Sequence, residues 1–231
     1  MWSLDNMGKD KLRKWDEIAT YDFVLQPPTE VALSGESDLG GTWNKNVFRN
    51  DNPITLELGC GKGEYTVGLA RMFPNRNFLG IDIKGHRFWR GAKTSVEEKL
   101  NNVAFLRTRI EFAGTFFNES EIDEIWLTFS DPQPKDEKHR LTGPKFIEFY
   151  KKYLKPGGTI HIKTDNTGLY EWSLEQLQEH KYNIEVFTDD VYGDFVAGLT
   201  PEWQEIMSIR TYYEKKFADE GEKIKYIRFT I

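Results

Sequence analysis

Cysteine is nearly absent: the one thiol in 231 residues, Cys60, permits no internal disulfide and excludes the cross-linked scaffolds of small secreted domains. The four histidines are scattered, so the clustered ligands of a zinc site are missing and no metal is expected. No apolar run approaches the length of a membrane span. The stretch from Met1 to Trp15 carries Asp5, Lys9, Asp10, Lys11, Arg13 and Lys14, which does not read as a signal peptide or anchor. A reducing cytoplasm is the expected compartment. Positive charge is not in excess either: 31 Lys and Arg against 37 Asp and Glu give a net charge of −6 and exclude a generic polycation. Any grip on nucleic acid must therefore be local. Glycine (19) and proline (9) follow no period, which excludes collagen-like and low-complexity chains, and no internal repeat is visible.

What is present is material for one folded domain: hydrophobic residues make up 39% of the chain and aromatic residues 14%. From about Pro53 onward, short β-type runs alternate with stretches of helical period, the pattern of a mostly parallel α/β sheet with helices on both faces. Seven strands are expected: Ile54–Leu58, Asn77–Asp82, Val103–Arg107, Glu124–Phe129, Thr159–Thr164, Ile184–Phe187 and Ile224–Thr230. Helices are expected over Glu64–Phe73, which Pro74 stops, over His86–Leu100, and over Pro144–Leu154, which opens on proline. A helical spacing resumes from Trp203 to Ala218. Residues 1–52, with Pro27-Pro28, Ser34-Gly35 and Gly40-Gly41, read as an extended or partly ordered arm, and residues 53–231 as the single domain.

The sharpest local signal is Glu57-Leu58-Gly59-Cys60-Gly61-Lys62-Gly63, between a strand and a helix. Glycines there allow positive φ and let a ligand approach the main chain. The spacing is Gly-x-Gly-x-Gly, not that of a dinucleotide loop, and a carboxylate, Glu57, precedes it where a pyrophosphate would want N–H groups. An anion suits a cationic ligand such as S-adenosylmethionine, whose ammonium Glu57 would accept from directly or through water. Asp82, at the end of the next strand, is placed to take ribose hydroxyls. The alternative is a tight strand-to-helix turn with no ligand.

The fourth expected strand runs into Ser130-Asp131-Pro132-Gln133-Pro134-Lys135. In an open parallel sheet, ligands gather beyond the carboxyl ends of the strands at the switch point, which the first and fourth strands flank. Asp131 would face the ligand from a loop stiffened by two prolines, unless it only starts an Asp-Pro turn. Basic residues follow: residues 135–155 sum to +4, residues 84–93 add Lys84, Arg87, Arg90 and Lys93, and residues 171–194 carry −6. Two basic runs beside the sheet edge offer a phosphate-binding surface, against the plainer reading of solvated charged faces.

Five segments in order carry a resemblance: Glu57 to Glu64, Phe78 to Lys84, Phe129 to Lys135, Lys163-Thr164-Asp165-Asn166, and Thr211 to Phe217 followed by Gly221. Over residues 53–231 the chain resembles the bacterial TrmB-type tRNA (guanine-N7)-methyltransferases. The resemblance implies a class I S-adenosylmethionine-dependent methyltransferase fold, Rossmann-like, and methylation of a guanosine N7 in the tRNA variable loop. It implies cofactor contacts from Glu57, Gly59, Gly61, Gly63, Asp82, Arg109 and Asp131, with Asp131 also catalytic. It assigns substrate contacts to Lys135, Asp165, Thr211 and Glu214, and RNA contacts to a loop over residues 137–142 that holds Lys138, His139 and Arg140. The expected partner is tRNA, with no membrane, and the chain acts as a monomer or homodimer. Gln133 stands where the family usually has tryptophan, and Arg109 where it usually has an acid near the adenine.

The chemistry is consistent with the residues at hand. Guanine N7 bears a lone pair and no proton, so attack on a sulfonium methyl needs no general base, and positioning with electrostatics suffices. A fixed carboxylate beside the purine gains as positive charge moves onto the ring. A second carboxylate, Asp165 or Glu214, would accept from N1–H and N2–H. Two other readings stay open. An exocyclic amino methyltransferase would use an Asp-Pro-Pro-aromatic loop, which Gln133 and Pro134 break; a non-catalytic RNA-binding partner would have little use for Asp131, Asp165 and Glu214 together.

Overall fold

Ile54–Leu58 and Asn77–Ile81 are buried at every position, as strands covered on both faces must be. They are β2 and β3 of an eight-stranded sheet seen in the computed structural model, which describes residues 4–212, 214, 216 and 221–231. The others are β1 (Val24–Leu25), β4 (Val103–Leu106), β5 (Ile122–Thr128), β6 (Leu154–Thr164), β7 (Asn183–Thr188) and β8 (Lys225–Thr230). The spatial order is β1-β4-β3-β2-β5-β6-β8-β7. Only β8 runs against its neighbours. The chain builds outward from β2 through β3 to β4, then returns to place β5 on the other side of β2, so the strand order reverses between β2 and β5. That reversal opens the crevice.

Seven α-helices are described: α1 (Leu4–Ile18), α2 (Thr29–Ser34), α3 (Glu64–Met72), α4 (Gly85–Glu97), α5 (Pro144–Tyr150), α6 (Thr167–Glu179) and α7 (Pro201–Ser208). Local chemistry fixes their starts. Pro144 and Pro201 occupy first turns that need no donor there, and the side chains of Asn166 and Thr200 accept from Leu169 N–H and Trp203 N–H. Alternate strand residues feed two cores: Leu56, Leu79 and Ile125 enter one, Phe78, Phe105 and Trp126 the other.

Two expectations need correction. The first fifty residues are not an extended arm. Ile18 and Trp43 are fully buried, Trp43 Nε1 donates to the Phe116 carbonyl at 2.7 Å, and β1 pairs with β4 as an eighth strand. Arg13 and Lys14, basic in the sequence, pair with Asp10, and Arg13 also with Glu17. The anchors are few and far apart, so no periodicity betrays them. The helix expected over Trp203–Ala218 is interrupted after Ser208, where Tyr65 takes the Ile206 carbonyl (3.2 Å) and Lys163 the Met207 carbonyl (3.1 Å), and Tyr212, Glu214 and Lys216 are helical again. Residues 213, 215, 217 and 218 of that span lie outside the described residues.

Candidate active site

The turn after β2 holds its three glycines at positive φ, 77° at Gly59, 55° at Gly61 and 74° at Gly63, a region costly for any other residue. They serve different ends. A Cβ built on Gly61 would meet nothing within 4 Å, and Gly59 and Gly61 both line a cleft of about 1070 Å³ at the carboxyl ends of β2 and β5. Gly63 is turned the other way: a Cβ there would fall 2.8 Å from the Phe105 ring, so this glycine lets α3 pack, and it does not line the cleft. Asp82 lines the cleft at the end of β3 and pins the turn, its Oδ2 accepting from Gly61 N–H (3.1 Å) and its Oδ1 from Lys84 N–H (2.7 Å). Cys60 shares the cleft wall, but burial pushes its thiol up, which leaves an unreactive neutral sulfur.

Glu57 does not line the cleft. Its carboxylate is buried against α3, where Oε2 accepts from Thr66 N–H (2.8 Å) and the Thr66 hydroxyl (2.5 Å) and Oε1 from the Thr128 hydroxyl (2.6 Å). The carboxylate expected to meet an ammonium directly or through water ties β2, α3 and β5 together, and Thr128 in turn lines the cleft. Burial raises the Glu57 carboxyl to about 7. On β6, His161 is stacked on Trp126 at 4.0 Å with Nδ1 at 2.7 Å from the Tyr226 hydroxyl, and burial lowers it to about 4.

These two buried groups oppose each other in pH. As pH falls from 7 to 4.5, folded Glu57 takes up a proton that the unfolded chain does not, which adds stability; as pH falls from 6.5 to 4, unfolded His161 takes up the proton, which removes it. Each amounts to about 3 kcal/mol at about 1.4 kcal/mol per pKa unit. Over the shared window they offset. Glu57→Gln should therefore lose stability relative to the native chain as pH falls from 7 to 4.5, and His161→Gln should gain it between 6.5 and 4. Urea midpoints across this range decide it; a variant-minus-native difference that ignores pH would refute the assignment.

Opposite the glycine turn stands the loop after β5. Phe129 (φ 50°) and Gln133 (φ 43°) both sit in the left-handed region, an unusual cost for non-glycine residues and a mark of a constrained site. Between them Asp131 lines the cleft, its Oδ1 accepting from Gln133 N–H at 3.0 Å while the side chain stays exposed. Arg109, His139, Asp165 and Thr211 line the same cleft, so the structure gathers residues from six segments at one crevice. Lys135 and Lys138 stand exposed on the loop beyond the cleft wall.

Two expected contacts are not available. Arg140 is buried: its Nε donates to the Pro132 carbonyl (2.9 Å), Nη1 pairs with Glu137 (3.2 Å), and the guanidinium lies 4.5 Å from the Trp172 ring. It clamps the loop and does not reach for phosphate. Glu214 is fully buried beneath the cleft, 3.0 Å from Lys163 Nζ and hydrogen-bonded by Tyr192. Sequence reasoning missed this pair. Its signal is a lysine in the apolar run of β6, where a buried ammonium demands an acid; burial lowers Lys163 to about 8 even beside Glu214.

Among the described residues no three His, Cys, Asp or Glu side chains gather as a metal would need, and no helix is long and apolar enough to cross a membrane. Residues 51–227 match the family described as "Putative methyltransferase". The chain is similar to the tRNA (guanine-N(7)-)-methyltransferase of Bacteroides fragilis, with 47% identity over 97% of this chain and 87% of that one. It is also similar to the protein of the same name from Porphyromonas gingivalis, with 49% identity over 92% and 86%. Among solved structures, the 16S rRNA methyltransferase KamB superposes with a TM-score of 0.61 over 84% of this chain and 95% of that one, at 14% identity, a likeness of fold alone.

Proposed function

The chain belongs to the tRNA (guanine-N7)-methyltransferase family, and on that premise we propose that its target guanosine lies in the tRNA variable loop and that Asp131 carries the chemistry. It transfers a methyl group from S-adenosylmethionine to guanine N7 of tRNA. The cleft fits that donor: open space above Gly61 admits a ligand to the backbone, Asp82 offers a carboxylate to a ribose, and Arg109 closes the wall beyond. When bound, the donor supplies an electrophilic methyl on a sulfonium. Glu57, through Thr66 and Thr128, holds the floor of its seat.

The observation that carries the reading is that Asp131 and the Gly59–Gly61 turn line one crevice at the strand-order reversal. Asp131 faces the purine as it becomes cationic, and a carboxylate already in place needs no reorganisation. Asp165 and Thr211, across the crevice, orient the base. Residues 53–231 form the catalytic unit, the chain acts alone or as a homodimer, and it works in the cytoplasm among its tRNA substrates. Purified chain, labelled S-adenosylmethionine and unmodified tRNA, followed by nuclease digestion and mass spectrometry, test this. N7-methylguanosine from the variable loop is expected. A methyl on an exocyclic amine, or no transfer without a second protein, would refute it.

The RNA loop makes a further distinction. Lys135→Ala, an exposed cation, should flatten the salt dependence of tRNA binding by about one unit of log–log slope. Arg140→Ala should leave that slope nearly unchanged and lower the melting temperature, since its guanidinium is spent on Pro132 and Trp172. Equal effects of both variants on the slope would place Arg140 on the RNA instead.

A further inference from the structure

Beside the active cleft runs a second groove of about 370 Å³, between α3 and α4, that the reaction does not use. Its walls repeat one pattern: Val67, Gly68 and Arg71 on α3 face Arg90, Gly91 and Thr94 on α4. Two glycines let its walls pack closely, since a Cβ on Gly68 would lie 2.9 Å from Ile209 and one on Gly91 would lie 2.8 Å from the Lys62 carbonyl. Lys62 and Arg210 complete a set of four cations, with Glu64 the one acid on the lining.

Most of those cations are lightly committed. Arg90 lies 3.7 Å from Glu97 with both side chains about half exposed, a pair that exchanges for phosphate at little cost, whereas Arg71 is held by Glu98 through two hydrogen bonds (2.5 and 2.7 Å) at an exposed site where a phosphate can join the guanidinium. Arg210 lies over the Tyr192 ring and Lys62 over the Tyr212 ring, contacts that leave a cation's charge in place. The groove is continuous with the cleft, because Lys62 and Glu64 line both.

From this we infer that the groove is a second phosphate track for the tRNA backbone, held by Arg71 and Arg90, so that the substrate is gripped from the β2 side as well as from the loop after β5. The inference rests on the tRNA methyltransferase reading and adds where the strand runs. A guanosine seated in the cleft delivers its neighbouring phosphates to the groove, whereas a free nucleotide would have no reason to span both.

The test uses the double variant Arg71→Gln/Arg90→Gln in the full chain, with filter binding of unmodified tRNA across a series of potassium chloride concentrations. Loss of two phosphate contacts should flatten the log–log slope by about 1.5 and weaken binding at moderate salt by about tenfold or more, at about 0.7–0.9 of slope per contact. Affinity for S-adenosylmethionine, read by calorimetry, should not change. Arg71→Lys/Arg90→Lys should keep the native slope, which a merely structural role would not require. The single variant Arg90→Gln leaves the Arg71–Glu98 pair intact and should show about half the change. If the native chain methylates tRNA but the double variant keeps its slope, the groove does not bind RNA and the functional reading stands. If the native chain neither binds nor methylates tRNA, both fall.

Discussion

Replacing Asp131 by alanine should lower kcat for tRNA methylation by about two to three powers of ten, as removal of one aligned electrostatic group does elsewhere, and leave donor affinity nearly intact. The reason lies in what the reaction changes. Positive charge leaves the sulfonium and arrives on the purine, so a carboxylate beside the purine interacts more strongly with the transition state than with the ground state, and only such differences accelerate a reaction. Asp131 is suited to this because Gln133 N–H fixes one of its oxygens and the left-handed turns at Phe129 and Gln133 fix the loop. Asp131→Asn separates charge from placement. An asparagine oxygen can still accept from Gln133 N–H, so the loop should hold while the rate falls almost as far. Single-turnover kinetics at saturating donor decide it, and near-native turnover in the asparagine variant would remove electrostatics from the account.

The second large effect concerns stability. Lys163→Met should destabilise the fold by about 3–5 kcal/mol, because it strands the Glu214 carboxylate in the core. Glu214 has little to fall back on: its Oε2 has no hydrogen-bond partner among the described residues. The double variant Lys163→Met/Glu214→Leu should recover much of the loss, since an apolar pair of similar volume removes the stranded charge with its partner. Urea unfolding of the native chain, both singles and the double gives the coupling energy; additive losses would show that the two side chains do not form a pair. Activity should not recover with stability. Lys163 also holds the Met207 carbonyl, and Glu214 N–H is held by the Thr211 hydroxyl, so the pair sets the segment that brings Thr211 to the cleft.

Much of the fold was legible because the central strands are continuous apolar runs bounded by turn residues, and β2 has the expected limits. The two-residue β1 was not, for a strand that short has no period; nor was α6, whose sequence shows chiefly an acidic excess. At the site, sequence placed Gly59, Gly61, Asp82 and Asp131 at the crevice because each lies at the end of a strand. It misdirected Glu57, which lies one residue inside the strand. A period of two turns that side chain onto a sheet face covered by α3, away from the open end, and Thr66 and Thr128 supply what a buried carboxylate needs. Arg140 and Glu214 were misread for a related reason. Charge is written in the sequence, but the partners that bury it, Trp172 and Lys163, come from distant elements.

The position of β8 governs how the sheet is finished. It is the last strand to be synthesised, yet it lies between β6 and β7, and its register with β6 brings Tyr226 to Lys163. Until it arrives, β7 has no neighbour in the sheet and β6 presents an open hydrogen-bonding edge, the arrangement most prone to pairing with another nascent chain. Assembly of the parallel half can begin during translation, but closure waits for the ribosome to deliver residues 225–230, and a chain cut short before Lys225 would carry two exposed strand edges into the crowded cell.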